Sequence, residues 1–403
     1  MSKRYILVEP EFPIPPKSRN HKNFLPIGLL KIASYLKNNG NEVMLLRGIN
    51  HNFFLVDKLN NFYPDEIWIT SLFTYWAEYV KETVKYYRNL FPKAKIVVGG
   101  IYASLMPKHC IDYTGCDEVF VGILKEAEMF FPAYDLIQDA NPHPIDYQII
   151  HASRGCPRKC EFCGTWKIEP KFEAKKSIRD EIRYKKLVFY DNNFLCNPYI
   201  ENILDELIRL KKEKKIKWCE SQSGFDGRIL LKKPYLAKLL KEAGFRYPRI
   251  AWDWRFEDFD YIEEQLNLLI EAGFKSKDIF VFMLYNWEIP FEEMEKKRKR
   301  AWQWRVQISD CRFRPLNQTF DHYNPRLLQT NSDYYIHPKW SDEKVKKFRK
   351  NVRRQNICIR HNKSFYSKEL ERKIIPIKEI YGLKNLNKEQ LKAKLQNVWF
   401  PED

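Results

Sequence analysis

Residues 151–166 read His-Ala-Ser-Arg-Gly-Cys-Pro-Arg-Lys-Cys-Glu-Phe-Cys-Gly-Thr-Trp and bring together Cys156, Cys160 and Cys163. Three thiolates on one tight loop can converge on a soft metal centre. A structural zinc site usually takes four ligands, commonly as two pairs, whereas the cysteines further along this chain stand singly. The C-x3-C-x2-C spacing therefore favours a [4Fe–4S] cluster with three protein ligands and one open iron.

The cysteine loop follows the first strand of an alternating series of strands and helices. The candidate strands are 147–152, 187–191, 216–222, 249–253, 279–285 and 306–311. The candidate helices are 176–184, 198–212, 234–243, 261–272 and 291–304. This α/β pattern predicts a (βα)6 partial TIM barrel over residues 145–323, and in such sheets ligands bind at the carboxyl ends of the strands.

An earlier βα alternation occupies residues 1–144. Candidate strands begin at Tyr5, Glu42, Glu66, Lys95 and Glu118, and apolar residues at helical spacing separate several of them. This pattern predicts a Rossmann-like parallel sheet with helices on both faces. The turn-rich Asn-Pro-His-Pro at 141–144 predicts a linker to the second series.

The composition indicates a large protein with a buried core. The chain has 403 residues, of which 44% are hydrophobic, so more than one domain is expected. It has no apolar run long enough to span a membrane and no signal-peptide layout at its start, so we expect a soluble cytoplasmic protein without a membrane partner. Nine cysteines, an odd number, argue against a disulfide framework.

The positive charge is unevenly distributed. The net charge is +18 overall, zero over residues 1–150 and +11 over residues 301–403. Residues 324–403 lose the strand–helix rhythm and are expected to form a basic C-terminal extension with a helix at 342–354. The run Glu295–Arg300 predicts a solvated helix face. Alternatively, this run forms a phosphate-binding surface together with basic residues of the helix expected at 342–354. An anionic substrate or RNA is therefore one hypothesis.

The pattern Cys156, Cys160, Phe162, Cys163 resembles the signature of the radical S-adenosylmethionine (SAM) superfamily. The resemblance implies that the open iron chelates the amino and carboxylate groups of SAM, with Phe162 against the adenine. One electron, from a donor such as ferredoxin or flavodoxin, would then cleave the sulfonium. The resulting 5′-deoxyadenosyl radical would abstract hydrogen from a substrate.

The rest of residues 1–320 resembles the subgroup of this superfamily that carries an N-terminal cobalamin-binding-type domain. Residues 97–103 resemble the Gly-Gly loop of that domain, residues 119–126 its next loop, and residues 191–194 the subgroup's Asp-rich loop. The Asp-x-His-x-x-Gly motif that supplies a lower cobalt ligand is absent, because His51 and His109 do not fit it. Cobalamin is therefore possible, although the missing ligand weighs against it.

Polar residues at the predicted strand ends are the candidates for cofactor contacts. The Gly-Gly-Glu run of many superfamily members is missing, so Asp191 and Asn193 are predicted to hold the methionine end of SAM; alternatively, they form a turn. Gln222 is predicted to hold the ribose hydroxyls. Asp253 and Tyr285 are further cofactor-binding candidates because of their strand-end positions.

Two further pairs of residues have alternative interpretations. Arg312 and Arg314 are predicted to bind a carboxylate or phosphate, with packing or an internal ion pair as the alternative. Cys219 and Cys311 are candidates for returning a hydrogen atom to a product radical, with simple apolar packing as the alternative.

We therefore predict a radical SAM enzyme in which Cys156, Cys160 and Cys163 are catalytic and the substrate is unidentified. The first alternative is a cobalamin-dependent radical SAM methyltransferase. The second is a non-catalytic, metal-containing nucleic-acid-binding protein. The sequence does not choose between methylation, rearrangement and carbon–sulfur bond formation.

Overall fold

The computed structural model of the chain describes residues 2–14, 25–49, 62–138 and 145–362. His51, the linker expected at 141–144 and the part of the C-terminal extension beyond residue 362 lie outside the described residues. No helix among the described residues combines the length and the apolar character needed to cross a bilayer.

The first half is built on parallel strands with helices between them. Its strands are β1 (Arg4–Glu9), β2 (Glu42–Arg47), β3 (Glu66–Ser71), β4 (Lys95–Gly100) and β5 (Glu118–Val119). Its helices are α1 (Ile27–Asn38), α2 (Ala77–Leu90), α3 (Ile101–Leu105), α4 (Pro107–Thr114) and α5 (Asp135–Gln138).

These five strands form one parallel sheet in the order β2-β1-β3-β4-β5. The central strand β1 has Ile6, Leu7 and Val8 fully buried, as expected of a parallel strand covered on both faces. The predicted Rossmann-like sheet is confirmed, although β5 is shorter than the sequence pattern suggests.

The second half contains all six predicted barrel strands. They are β6 (Gln148–Ile150), β9 (Lys186–Phe189), β10 (Trp218–Ser221), β11 (Arg249–Ala251), β12 (Phe280–Tyr285) and β13 (Gln307–Arg312). A short antiparallel pair, β7 (Ser153–Arg154) and β8 (Glu173–Ala174), flanks the cysteine loop. The helices are α6 (Thr165–Ile168), α7 (Ile200–Lys212), α8 (Gly227–Lys232), α9 (Tyr235–Glu242), α10 (Phe259–Glu271), α11 (Phe291–Gln303) and α12 (Asp342–Arg360).

The six barrel strands pair in chain order as two parallel three-stranded sheets. One sheet is β6-β9-β10 and the other is β11-β12-β13. Two isolated parallel bridges lie between the two sheets: Cys219 of β10 pairs with Phe245, which precedes β11, and Phe225, which follows β10, pairs with Ile250 of β11. The order and direction of the strands agree with a (βα)6 series, while closure into a partial barrel stays a prediction.

One predicted helix is wrong. Residues 176–184 form only a single 3₁₀ turn at Arg179–Glu181. Nucleating a helix restricts the backbone of several residues and gains only one hydrogen bond, so a short segment rarely forms a stable helix. Ile178 is instead almost fully buried in the core, and its amide donates to Glu206.

The described part of the C-terminal extension packs on the outer side of the second sheet. Its helix α12 is longer than predicted and begins at a Ser341 cap, whose hydroxyl accepts the Lys344 amide. The Asn356 side chain accepts the backbone amide of Ile308 at 2.9 Å and donates to its carbonyl at 2.7 Å. The exposed edge of β13 is thereby covered.

Candidate active site and the adjoining cavity

The three cysteines of the loop are free, half-buried thiols. The Cys156 Sγ accepts the amide of Arg158 at 3.4 Å, and the Cys160 carbonyl accepts both the Cys163 amide and the Trp166 indole N–H. Burial, followed by the neighbouring Cys163 thiol, raises the pKa of Cys160. The loop is thus a hydrogen-bonded turn that carries all three thiols.

The thiols do not converge as a mononuclear site would require. Within residues 2–14, 25–49, 62–138 and 145–362, no three His, Cys, Asp or Glu side chains are grouped closely enough to hold a single metal ion. The prediction of cluster ligation by Cys156, Cys160 and Cys163 therefore stays a prediction.

Gly155 sets the entry to the loop. Its φ is +73°, and an added Cβ would lie 2.3 Å from the Lys171 carbonyl oxygen, so only glycine fits this left-handed position. Its amide donates to Glu169 Oε2 at 2.6 Å, and Glu169 also pairs with Arg154 at 3.0 Å. The backbone just before Cys156 is therefore held from two sides.

The structure separates the roles of the two predicted methionine-binding residues. Asp191 is fully buried and accepts the Ala152 amide at 3.1 Å and the Ser153 hydroxyl at 2.7 Å. Its carboxylate thus positions the strand that leads into the cysteine loop. Asn193 is 7% exposed, and its Oδ1 atom has no hydrogen-bond partner among the described residues. Asn193 is therefore the better candidate for a ligand contact.

A network around Asp226 joins these residues to the cysteine loop. Asp226 accepts from Arg158 at 3.0 Å, from Arg228 at 2.9 Å and from Asn193 at 3.3 Å. Burial would raise the pKa of Asp226, but the hydrogen bond and charge of Arg228 outweigh it and hold the pKa below its usual value. The sequence analysis missed Asp226, Arg158 and Arg228, since only the fold brings them together.

Asp253 lies close to the cysteine loop. Its half-buried side chain has no hydrogen bond or ion pair among the residues that the structure describes. Burial raises the pKa of Asp253 to about 6, against the lowering charge of Lys297. Burial, then the Cys163 and Asp253 charges, raise the pKa of Cys160, which agrees with a carboxylate near the loop.

Lys297 fixes the backbone on either side of Asp253. Its ammonium is fully buried and donates to the carbonyls of Trp252 at 2.6 Å and Trp254 at 2.7 Å. Burial lowers the pKa of Lys297 to about 7. Neither interpretation of the charged run Glu295–Arg300 anticipated this, because Lys297 and Arg298 are buried rather than exposed.

Phe162 belongs to an aromatic wall beside the loop. Its ring lies 6.1 Å from Trp254 and 6.5 Å from Trp287, and Trp287 packs on Phe313 at 4.0 Å. Gln222 is half-buried and donates to Glu220 at 2.9 Å. The predicted adenine and ribose contacts of Phe162 and Gln222 remain predictions.

Tyr285 and the two strand-end arginines have internal partners in the structure. Tyr285 is 1% exposed and packs on Phe348 of α12, on the outer face of its strand. Arg312 and Arg314 both pair with Asp321, each at 2.6 Å. The ion-pair alternative is therefore present in the structure, although one carboxylate balances only one of the two positive charges. The Nε and Nη1 atoms of Arg312 are buried and have no hydrogen-bond partner among the described residues.

A cavity of about 630 Å³ separates the first half from the cysteine loop. One wall includes Gly99 and Gly100, where the φ of +97° at Gly100 and the 2.2 Å approach of a Cβ to the Ser71 oxygen require glycine. The opposite wall includes His151 and Arg154, immediately before the cysteine loop. Further lining side chains are apolar or aromatic: Leu25, Ile27, Leu29, Trp68, Leu72, Phe73 and Trp76.

Charged groups cross the cavity from one half to the other. Lys31 of α1 donates to Glu128 at 3.2 Å, and Glu128 lies 3.7 Å from Arg154. Arg154 also bonds His151 at 2.7 Å. Burial lowers the pKa of His151 well below its usual value, so this imidazole is neutral. His109, in contrast, does not line the cavity and bonds Tyr102 at 2.7 Å.

Comparison with known proteins identifies the first half. Residues 22–134 match the B12 binding domain family. The chain is 29% identical over 126 residues to cytidylyl-2-hydroxyethylphosphonate methyltransferase of Streptomyces wedmorensis, covering 26% of this chain and 23% of that protein. It is 24% identical over 278 residues to an uncharacterized methyltransferase of Pyrococcus horikoshii, covering 54% of this chain and 58% of that protein.

Matches across both halves agree on the fold. Over 328 residues the chain is 24% identical to the anaerobic magnesium-protoporphyrin IX monomethyl ester cyclase of Cereibacter sphaeroides, covering 64% of this chain and 52% of that protein. The chain thus spans only part of each relative's length. The solved structure of the cobalamin-dependent S-adenosylmethionine radical enzyme OxsB with aqua-cobalamin superposes with a TM-score of 0.55 at 13% identity, covering 100% of this chain and 74% of that chain. Residues 22–134 thus match a B12 binding domain, and the chain shares its fold with a solved cobalamin-dependent radical SAM enzyme.

Proposed function

We propose that the chain is a cobalamin-dependent radical SAM enzyme. Cys156, Cys160 and Cys163 would hold a [4Fe–4S] cluster, and the cavity beside their loop would hold the corrinoid. One observation carries the proposal: a single cavity has the Gly99-Gly100 loop on one wall and the run that leads into the cysteines on the other. The chain lacks the Asp-x-His-x-x-Gly motif that supplies a lower cobalt ligand. This does not oppose the proposal, because the cavity forms without that motif.

The residues of the cysteine loop suit a cluster that binds SAM. When bound, the cluster supplies an electron to SAM at its open iron, and the corrinoid supplies a cobalt that carries a methyl group. The half-buried thiols are unpaired, and the cationic Arg158 and Arg228 lie close by. Positive charge beside thiolates favours their ionised, metal-binding form.

The same region offers partners for SAM itself. The unsatisfied Oδ1 of Asn193 can accept from an ammonium group. The Asp253 carboxyl, without a hydrogen bond of its own, can accept from a hydroxyl or ammonium group. Phe162 presents a half-buried ring for the adenine. Reduction would come from an external one-electron donor such as ferredoxin or flavodoxin.

The residues that line the cavity suit a corrinoid in polarity. A corrin is a flat, apolar ring with amide side arms, and its side arms need donors and acceptors at the rim. Apolar walls with a few fixed polar groups are typical of cofactor sites. Lys31 and Arg154 can donate to amide carbonyls, while Glu128 can accept from amide N–H groups. The two glycines let the backbone approach the ligand closely.

Methyl transfer is the reaction that the relatives favour, because two of the three named above are methyltransferases. The test is anaerobic reconstitution with iron, sulfide and hydroxocobalamin, followed by reduction and product analysis by mass spectrometry. We expect 5′-deoxyadenosine, and S-adenosylhomocysteine when methyl transfer proceeds.

Cys160→Ser is the variant expected to lose the cluster. Cys110→Ser, in α4 away from the loop, is the matched control. The proposal requires that only Cys160→Ser loses both iron and 5′-deoxyadenosine. A wild-type preparation that binds four iron ions and SAM yet forms neither product would contradict it.

A further inference from the structure

Arg312 is a buried arginine on the side of β13 that faces α12. It lies opposite Tyr285 in the β12–β13 register, and Tyr285 packs on Phe348 of α12, so this row of side chains points toward α12. The Arg312 side chain is 3% exposed and pairs with Asp321 through its Nη2 atom. Its Nε and Nη1 atoms are buried without a partner among the described residues. Most of the donors of this guanidinium are therefore unused.

Positive charges converge on the ring of Tyr323, beside Arg312. The guanidinium carbons of Arg312 and Arg349 lie 4.4 and 5.4 Å from the ring centroid, and the Lys346 Nζ atom lies 6.0 Å from it. The Tyr323 hydroxyl is buried and has no partner at hydrogen-bond geometry within the described part of the chain. This ring is thus surrounded by three cations and carries a hydroxyl that the protein itself does not use.

The carboxylates at this point do not balance the positive charge. Five cations share three carboxylates: the cations are Arg312, Arg314, Lys346, Arg349 and Arg353, and the carboxylates are Asp310, Asp321 and Asp342. Asp321 and Asp342 pair with three of the cations at 2.6 Å. Burial raises the pKa of Asp310, against the lowering charges of Arg349 and Arg353. Even with all three carboxylates ionised, two positive charges remain uncompensated within this group.

The excess charge borders a cavity of about 930 Å³ that is lined by α12, the segment 323–328 and part of α11. The cations that α12 presents to this cavity are Lys346, Lys347, Arg349, Lys350, Arg353 and Arg354. Among them, only Lys346 forms an ion pair with a described residue. From Lys346 to Arg354 the helix rises about 12 Å, and the phosphates of one strand are spaced about 3.4 Å apart along a duplex. The cationic wall is therefore long enough for about three phosphate groups.

We propose that this cavity binds a chain of phosphate groups. Tyr323 and Arg349 supply donors at one end, Arg312 behind them supplies charge, and the other α12 cations follow the chain. A phosphate monoester carries about two negative charges, which matches the two uncompensated positive charges better than a carboxylate does. The planar fork of arginine donors also fits phosphate oxygens. The phosphates belong to RNA or to a free polyphosphate, and the site is independent of the proposed radical reaction.

Equilibrium binding of three probes to the reconstituted full chain tests this site. The probes are a fluorescein-labelled single-stranded RNA, sodium tripolyphosphate and poly-L-glutamate. Poly-L-glutamate stands for an acidic protein partner, because the exposed Leu327 and Leu328 also line the cavity.

The loss variant combines Arg349→Gln with Arg353→Gln. The matched control, Lys215→Gln with Lys238→Gln, removes the same charge from exposed side chains outside the cavity. We expect the loss variant to bind RNA or tripolyphosphate at least about tenfold more weakly than the control, because charge-assisted hydrogen bonds are lost. For RNA, the slope of log Kd against log salt should fall by about 0.7 for each lost phosphate contact.

Tyr323→Phe tests the same end of the cavity without changing its charge. Because the hydroxyl has no partner in the protein, we expect the denaturant midpoint of the unliganded chain to stay the same or rise. The affinity for the phosphate probe should fall about threefold or more. A lower midpoint with unchanged affinity would overturn the role of this hydroxyl.

The three probes separate the ligand classes. A loss of RNA binding in the loss variant identifies nucleic acid as the source of the phosphates, and a loss confined to tripolyphosphate identifies a free polyphosphate. Equal Kd values for the loss and control variants would overturn the site. A loss with poly-L-glutamate as large as with either phosphate probe would overturn its preference for phosphate. Formation of 5′-deoxyadenosine is measured separately, so none of these results bears on the proposed function.

Discussion

Gly155 illustrates how a single residue shapes the cysteine loop. Gly155 and Gly115 have nearly the same φ, +73° and +74°, but only Gly155 has protein atoms where a Cβ would stand. Alanine at either position meets the left-handed strain, which costs about 1–2 kcal/mol. Only at Gly155 does it also collide with a carbonyl oxygen.

We therefore expect Gly155→Ala to lower the free energy of unfolding by at least about 2 kcal/mol more than Gly115→Ala, and to lose iron. Iron per chain after reconstitution and the unfolding midpoint are the measurements. Equal effects of the two substitutions would show that the close approach to Lys171 is unimportant.

Lys297 stabilises the segment that carries Asp253. Lys297→Met leaves the buried Trp252 carbonyl and the partly buried Trp254 carbonyl without this donor, and an unsatisfied buried group costs about 1–3 kcal/mol. We expect a loss of about 2–5 kcal/mol in denaturant unfolding. The exposed neighbour Lys296 is the control, and Lys296→Met should change stability by less than about 0.5 kcal/mol. Similar values for both variants would contradict the role assigned to Lys297.

The same residue predicts a pH dependence. Its folded-state pKa of about 7 lies below the ordinary value of 10.5, so the unfolded chain binds more protons between these pH values. Stability contributed by this group therefore rises as the pH increases from about 7 toward 10.5. Lys297→Met should flatten that rise in unfolding curves recorded across this range. An unchanged slope would show that the ammonium is not buried as described.

Asp191 and Asp253 should respond oppositely to the same substitution. Both have a pKa raised to about 6 by burial, from an ordinary 3.8. Each folded carboxyl thus binds protons more tightly than the unfolded one, so its contribution to stability is present at low pH and is lost as the pH rises from about 4 to 6.

Asp253→Asn removes that penalty without losing a hydrogen bond, so thermal unfolding at pH 7 should occur at a higher temperature, by a few degrees for about 1 kcal/mol. Asp191→Asn replaces the carboxylate with an amide, whose NH2 group cannot accept a hydrogen bond from the Ala152 amide or the Ser153 hydroxyl. We expect this variant to be less stable by about 1–3 kcal/mol. The same sign for both variants would contradict the separation of a structural Asp191 from a ligand-facing Asp253.

At the residue scale, the sequence predicts only those groups whose chemistry follows from close spacing. The three cysteines fall within one loop, so they could be found without the fold. Asp226 and Lys297 act through partners far along the chain, Arg158 and Trp252. The packing of Tyr285 against Phe348 could not be predicted, because strand-end position does not reveal which face a side chain occupies.

At the scale of elements, strands were predicted better than short helices. Buried parallel strands such as β1 and β12 are continuous apolar runs, which mark their position clearly. The segment 176–184 has two isoleucines at helical spacing but too few residues to sustain a helix. The tertiary contact of Ile178 with the core decided its conformation.

The edge of β13 depends on one side chain of α12. Asn356→Ala would leave the Ile308 amide and carbonyl without partners, at a cost of about 1–3 kcal/mol, and would expose a strand edge that can pair with another chain. We expect lower stability and concentration-dependent aggregation by light scattering. Arg354→Ala, on the exposed side of α12, is the control. Identical behaviour of the two variants would show that α12 protects the edge without Asn356.

At the scale of the whole molecule, the two halves meet where the chemistry is proposed. Lys31 and Glu128 come from the first half, and Arg154 comes from the second. Arg314 also lies 4.4 Å from the ring of Tyr75 across the same boundary. The sequence predicted the two halves but not their shared cavity, because nothing in either half alone indicates which faces meet.

The most direct test of the central claim is electron paramagnetic resonance of the reduced, reconstituted protein before and after addition of SAM. Three cysteine ligands with one open iron predict about four iron ions per chain and a cluster signal whose g-values shift when SAM binds. The signal should be absent in Cys160→Ser. A chain that binds zinc and no iron, or a cluster whose signal SAM leaves unchanged, would contradict the account.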